Sequence, residues 1–323
     1  MRVLQVGLGS MGRRRVRNLL ALGEQDIVGF DRREDRRREA SEQYGIRVVE
    51  SFEAGLAEDP EAVVCSCPPG NQRGYLQAAL QACKHAFNET NWVEDLASLR
   101  PIAEQQGVVG VPSFTMRFHP GVRRLGEVLH TPDVGAIRAF VGHFGQHLAL
   151  WHAWEDYRGV YYAQRETGGA REMVLFELQW IVHLLGGVRG LSCTRARTGD
   201  LECDIDDVYQ VLVELGGGVL GAMQSDALAP THYRWIRFTG AEAVVEWRDG
   251  DPIRVFRRET GEWTAVAVPR GTPAPGYHAA EEMYIEELGL FLAATRGEAD
   301  YGYTYADYQR LAEALTKAES SAE

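Results

Sequence analysis

The chain has 323 residues, 45% of them hydrophobic and 25% charged, which is material for one large domain or two ordinary ones and not for a disordered or low-complexity protein. Its formal net charge of -12 repels a phosphate backbone, so nucleic acid is not an expected partner. The opening MRVLQVGLGSMG lacks the basic, apolar and small-residue succession of a signal peptide, and no run reaches the roughly 18 apolar residues of a membrane span; the expectation is a cytoplasmic protein away from membranes, with its five cysteines as buried free thiols.

In chain order, residues 2–9, 27–31, 47–50, 62–69, 85–89 and 108–114 read as short apolar strands. Between them, residues 12–23, 33–45, 52–59, 73–84 and 95–107 have helical periodicity. That alternation predicts a parallel sheet covered on both faces, an α/β dinucleotide-binding (Rossmann) domain over residues 1–120. Gly7, Gly9 and Gly12 form G-x-G-x-x-G directly after the first strand, where a tight turn brings backbone amides and a helix N-terminus onto a pyrophosphate. Ser10 and Met11 lie within that turn, and Cys67 and Pro68 at the end of the fourth strand are assigned to the same cofactor surface.

Asp31 closes the second strand, roughly 20 residues past the glycines, where a carboxylate accepts the ribose hydroxyls of NAD. Arg32 and Arg33 follow at once and could pair with the 2′-phosphate of NADP or remain solvated. NAD is the preferred cofactor, with NADP open.

After residue 120 the pattern changes. Residues 136–150, 206–228, 232–247, 252–259 and 262–269 read as strands joined by glycine and acidic turns, which favours antiparallel connections. Residues 173–186, 278–297 and 304–320 read as helices. An α+β domain over 121–323, with an open, mostly antiparallel sheet, is expected to bind substrate and to build a homodimer or homotetramer through that sheet.

With these segments in view, the chain resembles the Gfo/Idh/MocA oxidoreductases, the family of glucose-fructose oxidoreductase and inositol dehydrogenase. The resemblance rests on VGLGSMG, PPGNQRGYLQAALQACKHAFNE, MRFHPGVRRLGEV, WHAWEDYR and YADYQRLAEALTKAESS. It implies hydride exchange between NAD(P) and a secondary alcohol, usually of a sugar or cyclitol, in the cleft between domains.

The resemblance breaks where chemistry is expected. The family's Glu-Lys-Pro signature corresponds to Glu89, Thr90 and Asn91, and a threonine hydroxyl cannot supply lysine's charge or titratable proton. The family's histidine and, three residues later, its aspartate correspond to Phe176 and Gln179, after the turn Thr167-Gly168-Gly169, and a further position where relatives often have histidine is Gln72. Glu89, Thr90, Glu172, Tyr161 and Tyr162 are the catalytic candidates that remain. Glu89 also counts as a cofactor contact.

Trp92, Arg117, Trp154, Arg158, Phe176 and Gln179 are the substrate-binding candidates; aromatic faces suit the C–H faces of a sugar and arginine its hydroxyls. Arg171 would pair locally, and His183 is expected to be a packed core histidine. The scattered histidines suggest no metal, and Asp204, Asp206 and Asp207 read as a solvated strand entrance. The function expected is an NAD(P)-dependent oxidoreductase acting on a small, sugar-like molecule with non-standard acid/base residues. Two alternatives stand beside it: a dinucleotide-binding protein without net redox turnover, serving sensing or assembly, and a redox-neutral enzyme that retains NAD.

Overall fold

The protein is described here by a computed structural model, over residues 1–90, 95–151, 155–273 and 280–321. The sequence candidates Asn91, Trp92 and Trp154 lie outside the described residues. The chain divides into two compact units: Met1–Thr115 with Glu281–Gln309, and Met116–Ala280 with Arg310–Glu323.

The first unit alternates strand and helix: β1 (Val3–Val6), α1 (Ser10–Ala21), β2 (Ile27–Phe30), α2 (Glu34–Tyr44), β3 (Arg47–Val49), α3 (Phe52–Ala57), β4 (Ala62–Cys65), α4 (Pro69–Gln81), β5 (His85–Asn88), α5 (Arg100–Gln106) and β6 (Gly110–Pro112). The strands form one parallel sheet in the order β3-β2-β1-β4-β5-β6. β1, β2 and β4 are buried at every position, as strands covered on both faces must be. The order reverses between β1 and β4, so the carboxyl ends of these two strands open a crevice of the kind in which such sheets bind ligands.

The second unit contains α6 (Pro120–Leu129), β7 (Ile137–Gly145), α7 (Gly169–Leu185), β8 (Val188–Ala196), β9 (Val208–Leu215), β10 (Leu220–Asp226), β11 (Tyr233–Gly240), β12 (Ala243–Arg248), β13 (Ile253–Arg257) and β14 (Glu262–Val266). Its eight-stranded sheet runs β14-β13-β12-β11-β7-β10-β9-β8. The fold is thus the α/β plus α+β combination read from the sequence. All its pairings are antiparallel except β7 with β10. One face of β9 buries Tyr209, Val211, Val213 and Leu215, while Gln210, Leu212 and Glu214 are exposed. α7 covers the buried face, with Trp180 fully enclosed between Phe144 and Trp247.

The domain division near 120 is incomplete, because α8 (Glu281–Thr295) and the start of α9 (Tyr305–Ser321) fold with the first unit. Leu288, Phe291, Leu292 and Tyr301 join Val3, Leu19 and Phe87 in its core. β8 has no clear strand signal in the sequence, since VRGLSCTRA is mostly exposed, contains a glycine and shifts register at Val188/Gly190, so it carries little alternation. α6 likewise lacks an ordinary start signal; Pro120 occupies its first turn and the His119 ring accepts from the Gly121 N–H at 3.1 Å, an N-terminal cap by an uncommon residue.

The cysteine expectation also needs amendment: Cys83 is exposed, and Cys67 and Cys203 are only half-buried.

The first unit is pinned by Arg15 of α1, whose side chain is wholly buried. Its guanidinium donates to Glu89 at 2.7 and 2.9 Å and to Glu287 of α8 at 2.8 Å. Glu287 further accepts from Ser113 Oγ, the Phe114 N–H, Thr115 Oγ1 and Tyr301 OH. Burial alone would lower the Arg15 pKa, but the charges of Glu89 and Glu287 outweigh it and raise it above its ordinary value. Arg15→Ala, which strands two buried carboxylates, should cost about 3–5 kcal/mol of unfolding free energy, read as a lower urea midpoint; an unchanged midpoint would contradict this role.

Candidate active site

The cradle at the β1/β4 crevice is built by glycine where no side chain fits. Gly7 has φ +86°, and a Cβ there would meet the Ser66 carbonyl oxygen at 2.7 Å. A Cβ on Gly12 would lie 1.8 Å from the Gly7 oxygen, so the third glycine is what lets α1 pack against the turn. Gln5, buried on β1, donates to the Gly7 carbonyl at 3.1 Å. α1 begins after Gly9 with no side-chain cap and no acidic residue in its first turn, leaving amide hydrogens and a positive helix end for an anion. Ser10 and Met11 are half-buried there.

Asp31 is nearly buried and holds this turn in place. It accepts from the Leu8 N–H at 2.8 Å and the Arg33 N–H at 2.9 Å. The shape, the uncapped helix and the acid together fit a dinucleotide pyrophosphate and ribose.

At the ends of β4 and β5, Cys67, Gln72, Asn88 and Glu89 make one polar network. Gln72 donates to the Cys67 carbonyl at 2.8 Å and accepts from Asn88 at 3.1 Å; Asn88 also donates to the Glu89 carbonyl at 2.9 Å. Glu89 takes Ser66 Oγ at 3.1 Å in addition to Arg15. Its carboxylate is therefore a buried anchor more than a free base. Gln72 is fully buried, so this position serves packing and hydrogen bonding. Thr90 is half-buried beside it, and Pro68 is exposed at the start of α4.

In the second unit, Glu172 lies on the first turn of α7. Its Oε1 accepts from Tyr161 OH at 3.2 Å, and its buried Oε2 has no hydrogen-bond partner among the described residues. Burial raises the carboxyl pKa from 4.5 to about 8, against a small opposing effect of the Tyr161 hydrogen bond. Phe176 and Gln179 follow one and two turns on; Phe176 is half-buried, and the buried Gln179 Nε2 likewise has no partner among the described residues.

Tyr162 packs in a core cluster with Leu148, Leu201 and Ile205. Burial, then the charges of Glu155 and Glu172, push its phenol up, which argues against proton transfer near neutral pH. Arg171 forks onto Glu319 at 2.7 and 2.9 Å. Arg158 is exposed and engaged by Asp156 and Glu202. Arg117 stacks over Phe118 at 4.9 Å. Asp204 and Asp206 are paired with Arg165, and the fully buried Asp207 caps the Thr198 and Gly199 amides.

His183 is exposed rather than in the core, because α7 turns that position away from the sheet. Sequence reading missed Arg15, Gln5 and Asn88. Arg15 sits in the run GRRRVR and looks like a solvated charge, while a lone buried amide leaves no periodic trace.

Residues 1–113 match the oxidoreductase family with an NAD-binding Rossmann fold, Gfo/Idh/MocA. This domain therefore belongs to that family, as its motifs indicate. The curated dTDP-3,4-didehydro-2,6-dideoxy-alpha-D-glucose 3-reductase of Actinomadura kijaniata is 29% identical over 117 residues, 35% of each chain; the match spans about a third of that relative's length. An oxidoreductase from Agrobacterium radiobacter, solved with NAD+, L-tartaric acid and magnesium, superposes with a TM-score of 0.87 at 15% identity, covering 100% of this chain and 96% of that one. Levoglucosan dehydrogenase in complex with NADH gives 0.83 at 17%, covering 100% and 98%. At such identities these two structures establish likeness of fold. Among the described residues no helix is long and apolar enough to cross a membrane.

Gly12→Ala should raise the Kd for NADH about a hundredfold or more, since its methyl would overlap the Gly7 carbonyl. Titration calorimetry on folded protein measures it, and unaltered affinity would exclude this turn as the binding site.

Proposed function

We propose that the protein is an NAD(P)-dependent oxidoreductase that interconverts a secondary alcohol and a ketone on a small, carbohydrate-like molecule, with Glu172 as its acid/base group. The observation that carries the reading is the glycine cradle at the β1/β4 crevice, with Asp31 held beside it. The sugar activities named for the Actinomadura reductase and for levoglucosan dehydrogenase support the substrate class. Bound there, NAD(P) supplies or accepts the hydride at nicotinamide C4.

The chain's own part is the proton. In oxidation the Glu172 carboxylate would take the alcohol proton, and in reduction it would return that proton to the ketone oxygen. With a pKa of about 8 the carboxyl is mostly protonated at neutral pH, which suits donation to a ketone, and it remains close enough to pH 7 to reload. Tyr161 OH, donating to Oε1, orients the group and stabilises its ionised form. Gln179, two turns along the same helix, offers a hydrogen-bond donor, and Phe176 an apolar surface.

Coupled NADH and NADPH assays against a panel of keto-sugars and sugar alcohols test the reading. Dinucleotide binding with no hydride exchange against any of them would overturn it. Wild-type reduction should fall as pH rises through about 8, whereas Glu172→Gln should lose about 10²–10⁴-fold in turnover and lack that limb. A folding readout is independent of substrate. The native state keeps a proton that the unfolded chain releases above pH 4.5, so wild type should lose on the order of 3–5 kcal/mol relative to Glu172→Gln as pH rises from 4.5 to 8. Parallel stability curves for the two proteins would refute the shifted carboxyl.

We also propose that the protein is a homo-oligomer assembled through the outer face of the eight-stranded sheet. There Leu212 and Leu220 are 62% and 61% exposed and Val141 is 42% exposed. Gln210, Gln224 and His143 lie in the adjoining row of the sheet. A depression of about 520 Å³ runs across this face. Exposed apolar residues on an open sheet face, with Glu214 beside Leu220 and Arg237 beside Val141, suit a self-complementary contact. Light scattering should give two or four chain masses for wild type and one for Val141→Lys/Leu212→Lys; a single-chain mass for wild type would exclude the assembly.

A further inference from the structure

The segment Cys65-Ser66-Cys67 sets two thiols one residue apart, a spacing shorter than the C-x-x-C of thiol oxidoreductases. The fold brings them together nonetheless. Alternate residues of an extended strand point to one side; Cys65 closes β4 and Cys67 follows it, so their Sγ atoms lie 3.5 Å apart. Both are free thiols. An extended chain sets alternate Cα atoms roughly 6.6 Å apart, within the roughly 4.4–6.8 Å that a disulfide spans. The sulfurs need to close by only about 1.5 Å to bond.

The two sulfurs differ in access. Cys65 is fully buried and Cys67 half-buried, so a small oxidant meets Cys67 first. Burial, then the neighbouring Cys67 sulfur, push the Cys65 thiol well above its ordinary value, and it stays protonated while its neighbour reacts. The backbone that carries the pair is also the wall of the glycine turn. The Ser66 N–H donates to the Val6 carbonyl at 2.8 Å, the Glu89 N–H to the Cys65 carbonyl at 3.1 Å, and Gln72 to the Cys67 carbonyl at 2.8 Å. A Cβ on Gly7 would meet the Ser66 oxygen at 2.7 Å and the Cys67 nitrogen at 2.9 Å. With so little slack between segment and turn, drawing the sulfurs together shifts one against the other.

We propose that Cys65 and Cys67 form a reversible redox pair: a peroxide joins the two sulfurs, and the bridge weakens dinucleotide binding at the adjoining glycine turn. The bridge stands on the sulfur geometry, whereas its effect on affinity rests on the dinucleotide reading of that turn. In the first step the Cys67 sulfur, its proton released to solvent, attacks one peroxide oxygen; the O–O bond breaks, and the departing hydroxide takes up a proton to leave as water. The Cys65 sulfur then attacks the Cys67 sulfenic acid. The S–O bond breaks, the S–S bond forms, and the hydroxyl leaves with the Cys65 proton as a second water. The two sulfurs together lose two electrons, and the peroxide gains them. A dithiol reverses the change by exchange and is itself oxidised to a disulfide. A ring closed over three residues tightens the strand end, and strained bridges are the readily reduced ones.

Treatment of the full chain with hydrogen peroxide, removal of the oxidant and later addition of dithiothreitol test it. Residues 48–73 make one tryptic peptide whose only cysteines are these two. The bridge should read as that peptide lacking two hydrogens and resisting alkylation, with both thiols restored by dithiothreitol. Calorimetric titration should give oxidised wild type an NADH Kd about tenfold or more above that of the reduced protein. Cys67→Ser and Cys67→Ala, each compared with itself before and after peroxide, should change less than about twofold, and two variants keep a folding failure of one from deciding the result. Cys83→Ser, which removes an exposed thiol, should respond as wild type does. Oxygen added to Cys67 without a bridge, a bridge that involves Cys83, or a Cys65–Cys67 bridge that leaves NADH affinity unaltered would each overturn the proposal. If reduced wild type binds no NADH, the dinucleotide reading falls and takes the effect on affinity with it, while the peptide map judges the bridge on its own.

Discussion

A single buried guanidinium organises the dinucleotide unit. Arg15 points from α1 into a space closed to water and meets carboxylates from two distant parts of the chain, Glu89 after β5 and Glu287 on α8. None of the three could be buried alone, since an unpaired charge in that environment costs several kcal/mol. Each therefore requires the other two. Because α1 also carries the glycine turn at its N-terminus, the interaction that seats α8 also sets the helix end offered to a pyrophosphate.

This constraint changes the meaning of the Glu89 position. A carboxylate forked by Arg15 and touched by Ser66 is held in place, and it lends rigidity to the strand end where Thr90 follows. Asn88 and Gln72 extend the same rigidity across to Cys67, beside the turn at Gly7. Glutamine and asparagine here supply hydrogen bonds and shape, not titratable charge.

In the second unit the proposed acid/base chemistry rests on Glu172. Phe176 stands where the family resemblance places a histidine, and one turn earlier Glu172 has an environment that brings a carboxyl into the range histidine usually occupies. Desolvation does this, with Tyr161 as its one hydrogen-bond donor among the described residues. In the proposed reading, an acidic residue stands in for an imidazole because the helix turns it out of water. Arg171, its neighbour in sequence, has a different task because the helix points it at Glu319.

The sequence by itself determined the alternation of strand and helix, the parallel sheet, the Gly7-Gly9-Gly12 turn with Asp31, and most of the strands of the second sheet, because these depend on local periodicity and on residues that only one backbone conformation suits. Only the tertiary structure decided that residues 281–309 complete the first unit, that β7 and β10 run parallel, and that β8 exists at all, since each depends on partners far along the chain. It also sorted chemically identical neighbours: Arg15 from Arg13, Glu172 from Glu177. A side chain's charge is written in the sequence, but its pKa and its partner come from the dielectric and the groups that folding gathers around it, and those are long-range properties of the packed chain.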